Sequence, residues 1–393
     1  MRAARRFVGG ILPVPLALAC AAPVPESVPG AVPEWTLQRR LVIGSPDHPI
    51  YGLSGVGSVL VDEDRVYVLL PLEGVIRVFS REGQFVRDLG GGRGEGPGEM
   101  TRPTTLGWRG PRTIWVGDMI LQRFTFFDVA TGEAETIPYR SYAPDAHGTT
   151  RFEPVVVLAD LRVAAAPLPP DAAPARRSSA ELPMVVLDDA GRMRDTLALV
   201  SVPVSTEITA GLPEDGVLHV SHPLEEGDIW QFASDGSGTV LVEGRSWTGT
   251  GIPEFGVTKV DADGDTLFRR RIVYEPHPVP DGYYRDEINR LLDYGVVVDR
   301  REFVGAMLEF YERTRYFPPV TSVRLGSDGT TWLVGVDRDG ERDWLVLDAS
   351  GASIGRFRLP STSRVSYANR HEAWIVERDA LDIPYVVRYE ILP

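Results

Sequence analysis

A chain of 393 residues, 43% hydrophobic and 24% charged, can bury a full core and is long enough for two or three domains. Its formal net charge of −14 argues against nonspecific nucleic-acid binding, which needs basic side chains to neutralise phosphates. Lys259 is the only lysine, which removes P-loop and most lysine Schiff-base chemistry, and Cys20 is the only cysteine, which removes intramolecular disulfides.

The N-terminus has the zones of an export signal: MRAARR is basic, FVGGILPVPLALA is apolar, and small residues follow, which predicts a signal peptide over 1–19. The apolar run is too short and too broken by proline for a stable membrane span. Leu16–Cys20, LALAC, resembles a bacterial lipoprotein box, although its leucine stands two rather than three before the cysteine. The resemblance implies that Cys20 is the acylated first residue of the mature chain; cleavage after Ala19 or Ala21 without a lipid is the other reading. Residues 20–33, rich in proline and alanine, have little that can pack and read as an extended tether.

From residue 34 onward a strand–turn–strand grammar repeats. The first unit spans 57–90, where VGSVLVDEDRVYVLL and VIRVFSREGQFVRDL alternate apolar residues around DED and REG turns. The second runs from Thr104 to about Tyr139 behind a glycine-rich loop, and the third begins at PVVVLADLRVAAA and resumes at MVVLDDAGRMRDTLAL. The fourth is DIWQFASDGSGTVLVEG with VTKVDADGDTLFRRRIV; the fifth is TSVRLGSDGTTWLVGV with DWLVLDASGASIGRFRL. A sixth, SRVSYANRHEAWIVER with YVVRYEIL, stops at its third strand. Short strands recurring every 40 to 50 residues predict an all-β propeller. A missing fourth strand would leave an unpaired edge. Glu34–Gly44, EWTLQRRLVIG, has no partner near it in sequence, so it is expected to complete the last blade and close a ring of six.

The residues that carry the pattern are Gly94, Gly96, Pro97, Gly98, Glu99 and Pro103, then Trp115, Val116, Asp118, Arg123, Phe127, Asp128 and Gly132, echoed by Tyr316–Val334. On these the chain resembles exported bacterial six-bladed β-propellers of the NHL-repeat-like type, with Met100 where such loops carry Phe. The resemblance implies a fold and little about activity. Propeller lactonases of the senescence-marker type hold a divalent ion with asparagine and acidic ligands; here the only asparagines are Asn289 and Asn369. Six histidines in all also speak against the multi-histidine metal site of amidating lyases, which share the fold.

Antiparallel strands put the loop between the second and third strands of a blade on the same face as the link to the next blade. All long connections are expected there: the loop 90–103, the loop 167–183, the link 201–228, the loop 245–256 and the insertion 276–320. The insertion, placed between blades four and five, reads as helical over about 278–318. Asp299 with Glu302 forms a capping box, and Phe303, Met307, Phe310 and Tyr311 lie on one stripe of a flap over the propeller. Long loops gathered on one side of a rigid scaffold are where binding resides.

The candidate ligand contacts on this face are Arg93, Glu95, Glu99, Arg102, Asp118, Arg123 and Trp247. For the charged six, salt bridging between blades is the competing role. Asp261, Asp263 and Asp265 resemble the start of a calcium loop, but Gly264 is misplaced and Ile272 stands where a bidentate glutamate belongs, so a hairpin turn is expected. His219 and His222, three apart on an extended chain, point to opposite faces and make no metal pair. No catalytic residue, metal ligand or cofactor is assigned. The sequence reads as a monomeric, non-catalytic binding or scaffolding propeller of the cell envelope, touching a membrane only through a lipid, with a protein, peptide or glycan partner. A propeller hydrolase or lyase, acidic or metal-dependent at the channel mouth, is the alternative.

Overall fold

A computed structural model describes residues 32–393 apart from 139–151, 159, 161, 168–179, 189–190, 203–205, 213–217, 221, 225–226, 293–298 and 312–313. The expected signal peptide over 1–19, Cys20 and the expected tether up to residue 31 therefore lie outside the described residues.

The chain opens with β1 (Thr36–Ile43). It then forms β2 (Val59–Val61), β3 (Arg65–Leu70), β4 (Val75–Ser80) and β5 (Phe85–Leu89), hydrogen-bonded in chain order as one antiparallel sheet. The next sheet is β6 (Pro103–Arg109), β7 (Thr113–Asp118), β8 (Arg123–Asp128) and β9 (Ala134–Pro138), followed by β10 (Phe152–Val157), β11 (Val163–Pro167), β12 (Ala180–Leu187) and β13 (Met193–Val202). A hairpin of β14 (Thr206–Ile208) and β15 (Leu218–Val220) precedes β16 (Ile229–Phe232), β17 (Gly238–Glu243), β18 (Glu254–Asp261) and β19 (Thr266–Val273). Helices α1 (Tyr283–Leu292) and α2 (Arg300–Tyr311) come next, then β20 (Ser322–Leu325), β21 (Thr331–Arg338), β22 (Glu341–Leu347) and β23 (Ser353–Pro360). The last three strands are β24 (Arg364–Ala368), β25 (Glu372–Arg378) and β26 (Pro384–Leu392).

β1 pairs antiparallel with β26 from Thr36↔Leu392 to Ile43↔Val386, giving the order β1-β26-β25-β24 and the sixth four-stranded blade. Closure by the N-terminal strand thus follows the sequence expectation, because β26 would otherwise expose a row of unpaired backbone groups. The junction is reinforced one blade back: Trp35 N donates to Arg356 O (2.7 Å) and Arg356 N to Pro33 O (2.9 Å), so the chain adds to the edge of β23 before entering β1. Gly355 is required there, since a Cβ at that position would stand 2.1 Å from the Trp35 indole.

Counted from the blade that β1 opens, the two helices lie between the fifth and sixth blades rather than the fourth and fifth. The repeat count starts one blade later because β1 stands far in sequence from the three strands it joins. The residues concerned are those expected, between β19 and β20.

Blades hold one another through apolar faces and buried ion pairs. Trp115, Trp332 and Trp374, on the second strands β7, β21 and β25, are at most 1% exposed. Arg81 donates to both oxygens of the buried Glu372 (2.7 Å each), which also accepts from Arg388 (2.8 Å). Lys259 is buried at the next seam but one, with Nζ donating to Gly329 O at 2.7 Å; burial pulls its pKa down. At one end of the channel Ser234 O, in the β16–β17 turn, accepts from Trp108 N (2.8 Å), joining two blades that are not ring neighbours.

The helices form a satellite core with the β14–β15 hairpin. Tyr284, Ile288 and Leu292 on α1, and Phe303, Met307 and Tyr311 on α2, repeat every four residues and bury against Ile208, Val220 and Leu224. Asp299 caps α2 through Arg301 N (2.9 Å) and Glu302 N (3.0 Å). The box is not reciprocal: Glu302 reaches Gly211 N (3.0 Å) while Asp299 N donates to Gly211 O (2.9 Å), so the cap docks the helix onto the link. Among the described residues no helix is long and apolar enough to cross a membrane.

Candidate functional site

Strand pairing puts the connections 44–58, 90–102, 244–253 and 274–321 on one face, while the opposite face has tight turns such as 62–64, 81–84 and 348–352. The two ends of the 274–321 connection come back together, with Phe317 N donating to His277 O and Val279 N to Arg315 O, both at 2.9 Å. Beneath them a cleft of about 590 Å³ opens between the β16–β19 and β20–β23 blades.

Its wall is aromatic: Phe255 and Tyr274 come from one blade, Trp344 and Phe357 from the other, and Phe317 from the insertion. Trp344 and Phe357 stack at 5.6 Å with an interplanar angle of 11°. The rim is charged. Arg338 Nη1 contacts His277 Nε2 at 2.7 Å and pairs with Asp343, which also accepts from Arg358 Nε at 2.7 Å. A guanidinium only donates, so His277 offers a bare Nε2 and carries its proton on Nδ1. Tyr274 Oη and Trp344 Nε1 are sealed with no hydrogen-bond partner among the described residues, and burial pushes the Tyr274 hydroxyl pKa up. An apolar wall with a few directional polar groups at its edge is what an amphipathic ligand needs.

Trp247 stands beside this cleft. Its ring lies 4.6 Å from that of Tyr316 and its Nε1 donates to Thr250 O (2.9 Å), so it braces the 244–253 loop against the insertion.

The other six candidate residues lie at the seam between the β2–β5 and β6–β9 blades, on the far side of the ring. Asp118 is 1% exposed and accepts four backbone N–H groups: Thr101 (2.7 Å) and Arg102 (3.1 Å) on Oδ2, Ile120 and Leu121 (3.0 Å each) on Oδ1. Arg123 donates to the carbonyls of Glu95 (2.8 Å), Gly96 (2.9 Å) and Glu99 (2.7 Å), and Glu99 Oε2 accepts from Gly96 N (2.8 Å). These three side chains hold the glycine-rich loop in shape. Gly74 completes the fit: at φ 71° it approaches Gly92 and Met100 so closely that a Cβ would stand 2.7 Å from Met100 O. The side chains of Arg93, Glu95 and Arg102 are exposed, with no partner among the described residues.

No family model and no curated protein matches the chain. Among solved structures it is similar to a member of the DUF4221 family from Bacteroides vulgatus, at 12% identity and a TM-score of 0.49, over 91% of this chain and 99% of that one. A candidate exported protein of Bacteroides fragilis is 10% identical with a TM-score of 0.44, over 91% and 95% of the two chains. A streptogramin B lyase is 9% identical with a TM-score of 0.37, over 91% and 98%. The six-bladed assignment rests on the sheet topology itself.

The other motifs resolve as architecture. Asp261 Oδ1 accepts from Asp263 N (3.0 Å) and Asp265 N (2.9 Å), a hairpin turn, and Asp263 pairs with Arg162. His222 accepts from Leu224 N on Nδ1 (3.2 Å), so its Nε2 donates to Tyr311 O (2.9 Å) inside the helical core. His219 lies on β15, opposite Glu207. Among the described residues no three His, Cys, Asp or Glu side chains gather as a metal site. The cleft left no signal in the sequence because its walls come from two different blades and the insertion between them, and each blade segment reads as ordinary blade packing.

Proposed function

We propose that the protein is a non-catalytic binding propeller exported to the cell envelope, held there by a lipid on Cys20, and that its long-loop face engages a protein, peptide or glycan partner. The observation that supports this reading is the aromatic cleft beneath the insertion. Its volume of about 590 Å³ suits a short peptide stretch or a few sugar rings. Flat aromatic faces pack on apolar ligand surface, and Arg338, Asp343 and Arg358 supply hydrogen bonds at its edge.

The test is to probe the purified protein with an oligosaccharide array and a displayed library of short peptides, comparing wild type with Arg358→Glu. Arg358 is exposed, and its pair with Asp343 contributes about 1 kcal/mol or less, so the variant should fold normally. Probes retained by wild type and lost in the variant support the reading. Probes bound equally by both, or cleaved on incubation, overturn it. Replacing Cys20 by Ser should release the protein from the membrane fraction; retention there would refute the anchor.

A further inference from the structure

The N-terminal end of the described chain is itself part of the aromatic cleft. Val32, the first described residue, and Glu34 both line it. Residues two apart on an extended chain share a face, so these two face the cleft while Trp35 turns the other way, buried with its ring 6.1 Å from that of Trp332. Glu34 bridges in parallel to Arg356, and the flanking hydrogen bonds of Pro33 and Trp35 to Arg356 fix the backbone. Everything upstream of Val32 therefore starts from the wall of the cleft.

Pro33 decides how the chain arrives there. Its carbonyl accepts from Arg356 N, but it has no N–H to give to the next carbonyl of β23, so it cannot continue the ladder upstream. It also keeps the residue before it, Val32, in the extended or polyproline II region.

The sequence that leads in, residues 21–31, is AAPVPESVPGA: three prolines, two valines, small residues and a single charge at Glu26. Such a segment favours polyproline II, which has no internal hydrogen bonds and little conformational freedom to lose on docking. Aromatic-lined grooves are the surfaces that take it. The stacked Trp344 and Phe357, with Tyr274 and Phe317, make one here. Arg356 also lines the cleft, and its guanidinium, with no partner among the described residues, can donate to the segment's free carbonyls. At about 3.1 Å per residue, Pro29 stands within roughly 9 Å of Val32. Val28 and Pro29 thus reach the aromatic wall while residues 33–35 stay paired to β23.

We propose that the cleft is a polyproline groove whose resident ligand is this chain's own residues 28–31. The segment expected to tether the domain then also covers its binding site. Being attached at the wall, it competes at an effective concentration of millimolar order, so an outside partner has to displace it, and a tether drawn taut leaves the cleft open. The proposal rests on the reading of the cleft as a binding site and names what fills it.

The test uses the chain from residue 20 onward with Cys20→Ser, which carries no lipid and keeps every described residue. Its tether is either intact or bears Pro25→Gly, Val28→Ser and Pro29→Gly, all upstream of the described residues. A fluorescein-labelled peptide of residues 21–31 is titrated into each and followed by anisotropy. It should bind the substituted chain about tenfold more tightly or better, because the intact one carries its own competitor. Equal affinity for the two chains, or no binding to either, would overturn the proposal. An intact chain that is dimeric in size-exclusion chromatography while the substituted one is monomeric would overturn it too, since the segment would then fill the cleft of a second copy. If array or library probes still separate wild type from Arg358→Glu in any of these cases, the cleft remains a binding site and only its resident ligand is refuted.

Discussion

Asp118→Asn separates a scaffold residue from a ligand contact more sharply than any other substitution at the glycine-rich seam. The carboxylate receives four backbone N–H groups at 2.7–3.1 Å, two on each oxygen. An asparagine has the same shape but one accepting oxygen, so two bonds go and its NH₂ faces two N–H donors. Net contributions of about 1.5–3 kcal/mol for each hydrogen bond to a charged acceptor bracket the loss at roughly 3–6 kcal/mol. Ile120 is 55% exposed, so water can replace part of what is lost on its side, and the expectation falls at the lower end, about 3 kcal/mol. Guanidinium chloride unfolding followed by tryptophan fluorescence would measure it. Alanine at the exposed Arg93, Glu95 and Arg102 should change stability by about 0.5 kcal/mol or less. If Asp118→Asn unfolds within that same margin of wild type, the carboxylate is not holding the loop and the reasoning is refuted.

Two tyrosines should respond with opposite sign. Tyr274→Phe removes a sealed hydroxyl with no partner among the described residues and should stabilise the protein, whereas Tyr284→Phe removes a donor to Thr314 O at 2.6 Å and should destabilise it by about 1 kcal/mol. A loss of stability in Tyr274→Phe, measured in the same unfolding series, would mean that its hydroxyl is hydrogen-bonded in solution. Asp328 gives a pH signature. Burial works to raise its pKa, but hydrogen bonds from Thr330 and Arg370 outweigh that and hold it below its ordinary value of 3.8. A carboxyl depressed in the folded state adds stability that is present above the unfolded pKa and lost as pH falls through the folded one. Asp328→Asn should therefore lower the urea midpoint at neutral pH and flatten its decline below about pH 4; an unchanged slope would contradict the assignment.

The blades were legible because a propeller repeats one period-two pattern between turn signals, and each blade announces itself locally. Closure was legible too, since β1 had no neighbour to pair with and β26 lacked one. The β14–β15 hairpin was not, because three-residue strands inside the 201–228 link give no periodicity. The charged residues around the glycine-rich loop were located correctly on the long-loop face, but sequence could not say that Asp118 and Arg123 would turn toward backbone. Nor could it place Trp247 on the opposite side of the ring from them, since that separation comes from the closed circle of blades.

The central claim is that the N-terminal strand closes the six-bladed ring, which fixes the channel and both faces. Its most direct test compares denaturant unfolding of a chain beginning at residue 32 with one beginning at Ser45, which lacks the Trp35 latch and all of β1. The longer chain should unfold in one cooperative transition like the full protein. The shorter one, with β26 left as an open edge, should lose cooperativity or unfold at a much lower midpoint. A Ser45 chain with the midpoint and slope of the full protein would contradict closure by β1.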